Sequence, residues 1–292
     1  MATYTTYDQI GKKEDVSDII SDITPMDTPM FSLMKTEKVS ARVFEWQEDA
    51  IRNANGANAV VEGADATVSA LTPTTMRSNT TQILEEAFRV SATADAIATY
   101  GRAKETAHQL SKALKAVKRD LEAAFVGADQ AAVSGDSSTA RRMASVINQI
   151  STDKAQAGAA LTEAALLDAG ETAYANGSDP TTFMIKPGDA QIVAGFAGAA
   201  GRNREISQGK QLVNAIDLYV SPYGEYKVVL NRHLAADTAL LIDPSMFKTC
   251  VLRPFSRTLL AKTGDSDTHH IVGEYSVKHM NYGDSVKITG LA

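Results

Sequence analysis

Cysteine is nearly absent from this chain. Cys250 is the only one in 292 residues, which excludes an intrachain disulfide and any cysteine-based zinc site. A small buried hydrophobe is the role that remains for it. Long hydrophobic runs are absent as well: no uninterrupted apolar stretch approaches the ~20 residues of a membrane helix. The opening MATYTTYDQIGKKED lacks the apolar core of a cleaved secretion signal, so the sequence reads as soluble and made inside a cell. The Asn-x-Ser/Thr matches at Asn79 and Asn176 then have no meaning as glycan acceptors. Positive charge is in short supply. A net charge of -6 argues against a protein built to grip nucleic acid by neutralising phosphates. No G-x-S-x-G elbow occurs, and Ser256 and His233 are not singled out by spacing. The glycine run AGFAGAAGRN (Gly195, Gly198, Gly201) lacks the GK[ST] of a phosphate loop and the strand-to-helix placement of a dinucleotide site.

What is present is an ordinary globular composition, 44% hydrophobic, in a chain long enough to bury roughly three-quarters of its unfolded surface. Charge is unevenly spread. Residues 1–50 hold ten acids against five Lys/Arg, whereas residues 101–120 hold six Lys/Arg against two acids. The stretch ITPMDTPMFSLM (23–34) sets two prolines among six large apolar side chains. Each proline lacks a donor and restricts its predecessor, so the segment is expected to be extended. It still needs an apolar surface to lie on.

The remaining pattern divides by period. Residues 14–22 place Val16, Ile19 and Ile20 at helical spacing. Residues 37–49 and 75–90 alternate as strands around an Ala/Asn/Gly/Thr-rich tip at 52–74, a long two-stranded hairpin that is marginal without outside support. Residues 101–126 carry Ala107, Leu110, Leu114, Val117, Leu121 and Phe125 at steps of three and four, a long amphipathic helix stopped near Gly127. ARRMASVINQI reads as a strand. Thr162 can cap a helix that stops at Asn176-Gly177, TTFMIK is a strand, and Pro187-Gly188-Asp189 opens another helix. A hairpin around 221–224 and further strands near Asp243-Pro244 and to the C-terminus complete the chain. This is an α+β order, not the alternation of a doubly wound parallel sheet.

One cluster invites a metal reading. In DSDTHHIVGEYSVKH, His269, His270, Glu274 and His279 suffice in number for a metal-dependent hydrolase. The spacing does not match H-E-x-x-H, and on a strand His269 and His270 face opposite sides. A polar turn feeding a strand is the plainer reading.

The whole chain resembles the major capsid proteins of tailed bacteriophages with the Hong Kong ninety-seven phage capsid fold. The resemblance is carried by DVSDIISDITPMDTPMFSLM, the limb VFEWQEDAIRNAN, the long helix TAHQLSKALKAVKRDLEAAFVG and the block from about Phe247. It implies an N-terminal arm (1–36), an E-loop hairpin (37–90), a P-domain with its spine helix (91–150), an A-domain (151–246) and closing P-domain strands (247–292). It implies a self-assembling icosahedral head shell around double-stranded DNA, made in the bacterial host cytoplasm and residing in the virion. No catalytic residue, cofactor or metal is implied. The partners would be other copies in hexamers and pentamers, a separate scaffolding protein, a portal, a decoration protein, and DNA held by weak non-specific contact. The 23–34 segment is then read as packing on neighbouring subunits through Met26, Met30, Phe31 and Met34, the alternative being that it folds over its own core. Trp46 on the hairpin, and Arg202, Arg204 and Glu205 near the local symmetry axes, are further expected inter-subunit contacts. Lys112, Lys115, Lys118 and Arg119 form a solvated face of the spine or pair with the acidic N-terminal region, the alternative being that they face packaged DNA. Some members of this fold crosslink through an E-loop lysine. Between residues 47 and 84 this chain has none, so non-covalent contacts should hold the shell. Within the fold, the alternative is an encapsulin-like nanocompartment holding cargo enzymes.

Overall fold

The long amphipathic period at 101–126 forms a single helix, Glu105–Val126, in the structure, a computed structural model that describes residues 28–52, 54–66, 68, 71–97, 104–199 and 218–292. The expected helix at 14–22 and the candidate contacts Met26, Arg202, Arg204 and Glu205 lie outside the described residues.

In chain order the helices are α1 (Pro29–Leu33), α2 (Ala92–Ala96), α3 (Glu105–Val126), α4 (Val146–Gln149), α5 (Glu163–Ala175) and α6 (Ala190–Ala199). The strands are β1 (Lys35–Lys38), β2 (Val43–Glu48), β3 (Thr75–Thr80), β4 (Gln82–Ser91), β5 (Thr152–Asp153), β6 (Thr182–Ile185), β7 (Leu218–Ser221), β8 (Gly224–Leu230), β9 (Ala239–Ile242), β10 (Phe247–Leu259), β11 (Ser266–His279) and β12 (Val286–Ile288). They form a six-stranded mixed sheet in the order β5-β12-β9-β6-β8-β7, a four-stranded sheet β1-β10-β11-β4, and the isolated pair β2-β3.

Local chemistry sets many of these boundaries. Thr162 accepts a hydrogen bond from Ala165 N at the start of α5, and the helix ends at Asn176 before Gly177, whose φ of +79° favours glycine. Pro187 opens a 3-10 turn that leads into α6. β6 and β9 are buried along their whole length, as central strands of a covered sheet must be.

Three expectations are corrected. The 23–34 segment is not extended throughout: Pro29 stands at the first position of α1, the one place in a helix where its missing N–H costs nothing. ARRMASVINQI is not a strand, because Ser145 caps α4 by accepting from Asn148 N. Leu114 is 37% exposed, so the apolar stripe of α3 is buried at Val117, Leu121 and Phe125 but not there.

The chain divides into two compact units, one containing Glu85–Val117 with Arg257–Ile271, the other Asp27–Leu84, Lys118–Ser256 and Val272–Ala292. In the first, Asp95 accepts from Thr106 N and caps the start of α3, while Arg89 donates to Thr268 Oγ1 at 2.9 Å. The second has two apolar cores. One joins Met30 and Met34 to Leu121, Phe125, Ile147, Phe247 and Val277. The other packs Leu166 and Ala169 of α5 against Phe183, Ile185, Tyr226 and Leu241.

Candidate functional site

The hairpin of β2 and β3 is antiparallel with Val43 opposite Thr80 and Glu48 opposite Thr75. Its root is fixed by a buried polar clamp. The Asn79 side chain donates to Val277 O (2.6 Å) and Ala144 O (3.2 Å) and accepts from Ala144 N (2.8 Å). Ser276 Oγ donates to Thr80 O at 2.9 Å, and Thr81 Oγ1 donates to Glu274 at 2.7 Å. Glu274 also pairs with Arg141 and with Arg253 at 3.1 Å, and Arg141 Nε donates to Thr81 O. Asn79, Thr80, Thr81 and Glu274 are all buried, so these bonds are made away from competing water.

Higher on the hairpin, Glu48 pairs with Arg77 at 2.6 Å and accepts from Tyr282 N, while the Arg77 guanidinium lies 4.3 Å from the centre of the Tyr282 ring. Trp46 is buried and stacks on Phe44 with ring centres 5.7 Å apart. That corrects its expected role: Trp46 is committed to its own chain.

The loop at 49–74 is the reverse. Ile51, Val60, Val61, Val68 and Leu71 are between 79% and 96% exposed. Part of the loop is shaped, since Ala64 N donates to Val61 O across a turn in which Gly63 has φ +80°. Large apolar side chains left exposed along one loop mark a place where something else is meant to cover them. The alternating pattern of the sequence predicts the hairpin but singles out none of these five. Apart from the adjacent Val60 and Val61, each stands alone among small or polar residues, so no periodicity marks them. The available signal was large aliphatics in a segment with no helical or strand face to put them on.

The 23–34 segment ends in a second fixed point. Glu122, buried on α3, accepts from Met30 N (2.8 Å), Phe31 N (2.9 Å) and Asn231 Nδ2 (2.7 Å). It thereby supplies from α3 the N-terminal cap that Thr28 does not provide. Burial raises its carboxyl above the ordinary range, and the three donors oppose that shift. Met30 is fully buried and Met34 nearly so. Both are spent on the chain's own core, which corrects their expected role as contacts with neighbours. Phe31 is only partly buried.

The histidine cluster is occupied by structural contacts. His270 lies 3.0 Å from Glu85, and His269 accepts from Arg257 Nε and faces the Phe88 ring. His279 is fully buried, stacked on Phe247 with centres 4.0 Å apart, and burial lowers its pKa to about 4. Among the described residues no group of three His, Cys, Asp or Glu is arranged to hold a metal. On α3, Lys112 and Lys118 are exposed.

Against this geometry, residues 2–292 match the family model of the SU10 major capsid protein. The major capsid protein of Escherichia phage Phieco32 is 30% identical over 339 aligned residues, covering 98% of this chain and 96% of that protein. Among solved structures, the capsid of a native GTA particle superposes with a TM-score of 0.71 at 12% identity, covering 98% of both chains. The SrpI encapsulin of Synechococcus elongatus PCC 7942 superposes at 0.64 with 9% identity, covering 100% of this chain and 96% of that one. At such identities these two likenesses speak for a common fold.

Proposed function

Since the chain belongs to the SU10 major capsid protein family, and has the Hong Kong ninety-seven capsid fold, we propose which of its surfaces build the shell and what that shell encloses. It is the major capsid protein of a tailed phage, the subunit of an icosahedral head. The hairpin is the E-loop, α3 the spine of the P-domain, and the six-stranded sheet with α5 and α6 the body of the A-domain. The hairpin tip reaches neighbouring copies in hexamers and pentamers. A scaffolding protein, a portal and a decoration protein assist, assembly takes place in the host cytoplasm, and the wall touches packaged double-stranded DNA weakly. The role is mechanical, without catalysis.

The observation that carries the reading of the hairpin is its tip of five exposed aliphatic side chains above a root locked by Asn79 and Glu274. Each aliphatic is worth about 1.5–3 kcal/mol when fully buried, before ordering costs. Summed over a lattice, a fraction of that decides whether a shell closes. Val61→Asp with Leu71→Asp should leave a soluble, cooperatively folded subunit that sediments slowly, where the unaltered chain forms large particles in negative-stain images. Normal shells from the double variant would remove the tip from assembly. The encapsulin fold is similar enough that the particle's contents separate the two: nuclease-protected DNA in heads, protein cargo in nanocompartments.

A further inference from the structure

Between α1, β1, β10 and β11 lies a partly open hollow of about 430 Å³. Phe31, Val251, Pro254 and Tyr275 give it an apolar lining, and Thr36 and Lys38 of β1 add a hydroxyl and a cation. Its walls are held in place. Phe31 N donates to the buried Glu122 carboxylate, and the Tyr275 hydroxyl accepts from Phe255 N at 3.1 Å. A pocket preformed in this way is built to receive something rather than to collapse. Lys38 is exposed and makes no ion pair among the described residues.

The same chain carries a group of matching chemistry. In the hairpin loop, the turn closed by Ala64 N and Val61 O presents Val60 and Val61, 83% and 79% exposed, immediately before Glu62. Residues 49–74 hold Asp49, Glu62 and Asp65 against the single cation Arg52. An apolar pair followed by an acid is what an apolar hollow with one lysine would accept. The chain does not satisfy itself, because the two valines remain exposed. Two complementary patches at different places on one subunit associate head to tail, the kind of contact that generates rings and extended lattices.

We propose that this hollow receives the Val60-Val61-Glu62 turn of a second copy, with the two valines inside it and the Glu62 carboxylate on Lys38. The proposal rests on the reading that the chain assembles into a shell and names the receiving site. It makes α1 part of the lattice contact indirectly: Met30 and Glu122 fix the helix so that Phe31 can wall the hollow.

The full chain offers a low-background test. Cys250 is buried, and burial pushes its thiol up to about 12, so it stays unreactive. Thr36→Cys and Val61→Cys are introduced together, assembled shells are treated with a short bis-maleimide, and denaturing electrophoresis is read. Linked multimers are expected from the double variant and not from either single variant. Shells that assemble yet yield no linked species overturn the docking site and leave the capsid role standing. A second pair of variants covers a double variant that fails to fold. Lys38→Glu should lower shell yield about tenfold, and Lys38→Glu combined with Glu62→Lys should restore it. Unaltered yield in Lys38→Glu, or no recovery in the combination, also overturns the proposal. Failure of the unaltered chain to form particles overturns instead the shell reading on which it depends.

Discussion

At the scale of single residues, buried polar groups carry more of this structure's specificity than the sequence suggests. His279 is the clearest case. Stacked on Phe247 and shut away from water, it is held neutral with a pKa of about 4, against an ordinary 6.5. The unfolded chain therefore takes up a proton in this window that the folded chain refuses. Its contribution to stability is complete above about pH 6.5 and is lost as pH falls toward 4, by about 3 kcal/mol across the window. Glu122 acts with the opposite sign, since its raised pKa makes the folded chain hold a proton more readily than the unfolded one as pH rises past the ordinary carboxyl value. His279→Phe keeps an aromatic ring against Phe247 and cannot titrate. Thermal unfolding of this variant should show a smaller loss of Tm between about pH 7 and pH 5 than the unaltered subunit. An unchanged difference would place the acid sensitivity elsewhere.

At the scale of elements, α3 shows how a correct period can mislead about a single position. Leu114, Val117, Leu121 and Phe125 all fall on one helical stripe, yet Leu114 is exposed while Leu121 and Phe125 are almost fully buried. A stripe identifies the face of a helix, and only the packed neighbours decide how far along it the core reaches. Leu114→Asp should therefore cost only about 1–2 kcal/mol, from partial loss of apolar burial and the poor helix propensity of Asp, and leave a folded subunit. Leu121→Asp puts an unpaired charge beside Met30 and Phe125 and should yield insoluble subunit. Solubility and far-UV circular dichroism of the two variants check both halves. Comparable damage from Leu114→Asp would mean that the first half of α3 is buried as well. The hairpin illustrates the converse. Two strands alone are marginal, and among the described residues β2-β3 pairs with no other strand. It is held by Asn79, Thr80 and Thr81 at its root, a sequence run that reads as ordinary strand or turn polarity until their buried partners are known.

At the scale of the whole molecule, the fold leaves large aliphatics on the hairpin loop and an apolar hollow beside β1 without a mutual contact within the chain. A subunit of this kind is complete only in company. The absence of lysine between residues 47 and 84 bears on how that company is held. With no ammonium on the loop to attack a neighbour's side-chain amide, the shell should rest on apolar burial and ion pairing. Purified shells of the unaltered chain, boiled in detergent, should run as a single band at the size of one chain. A ladder of covalent multimers would refute this.

The sequence by itself determined the α+β order, the long helix, the capped α5, the hairpin and the resemblance to phage capsids. Each depends on local chemistry: a 3.6 period, a Thr N-cap, an Asn-Gly stop, alternation between turns. Only the tertiary structure decided that Met30, Met34 and Trp46 are used at home while Val60, Val61 and Leu71 are not. Met30, Met34, Val60, Val61 and Leu71 are large apolar groups in segments without a clear period, and nothing local tells them apart; the alternation of β2 gives the face of Trp46 but not what covers it. What separates them is distance in the chain: Glu122, 92 residues beyond Met30, caps α1, and Tyr282 lies against Trp46 from the far end of the sequence. Burial of an apolar side chain is set by which remote surfaces come to meet it, and that information belongs to the fold.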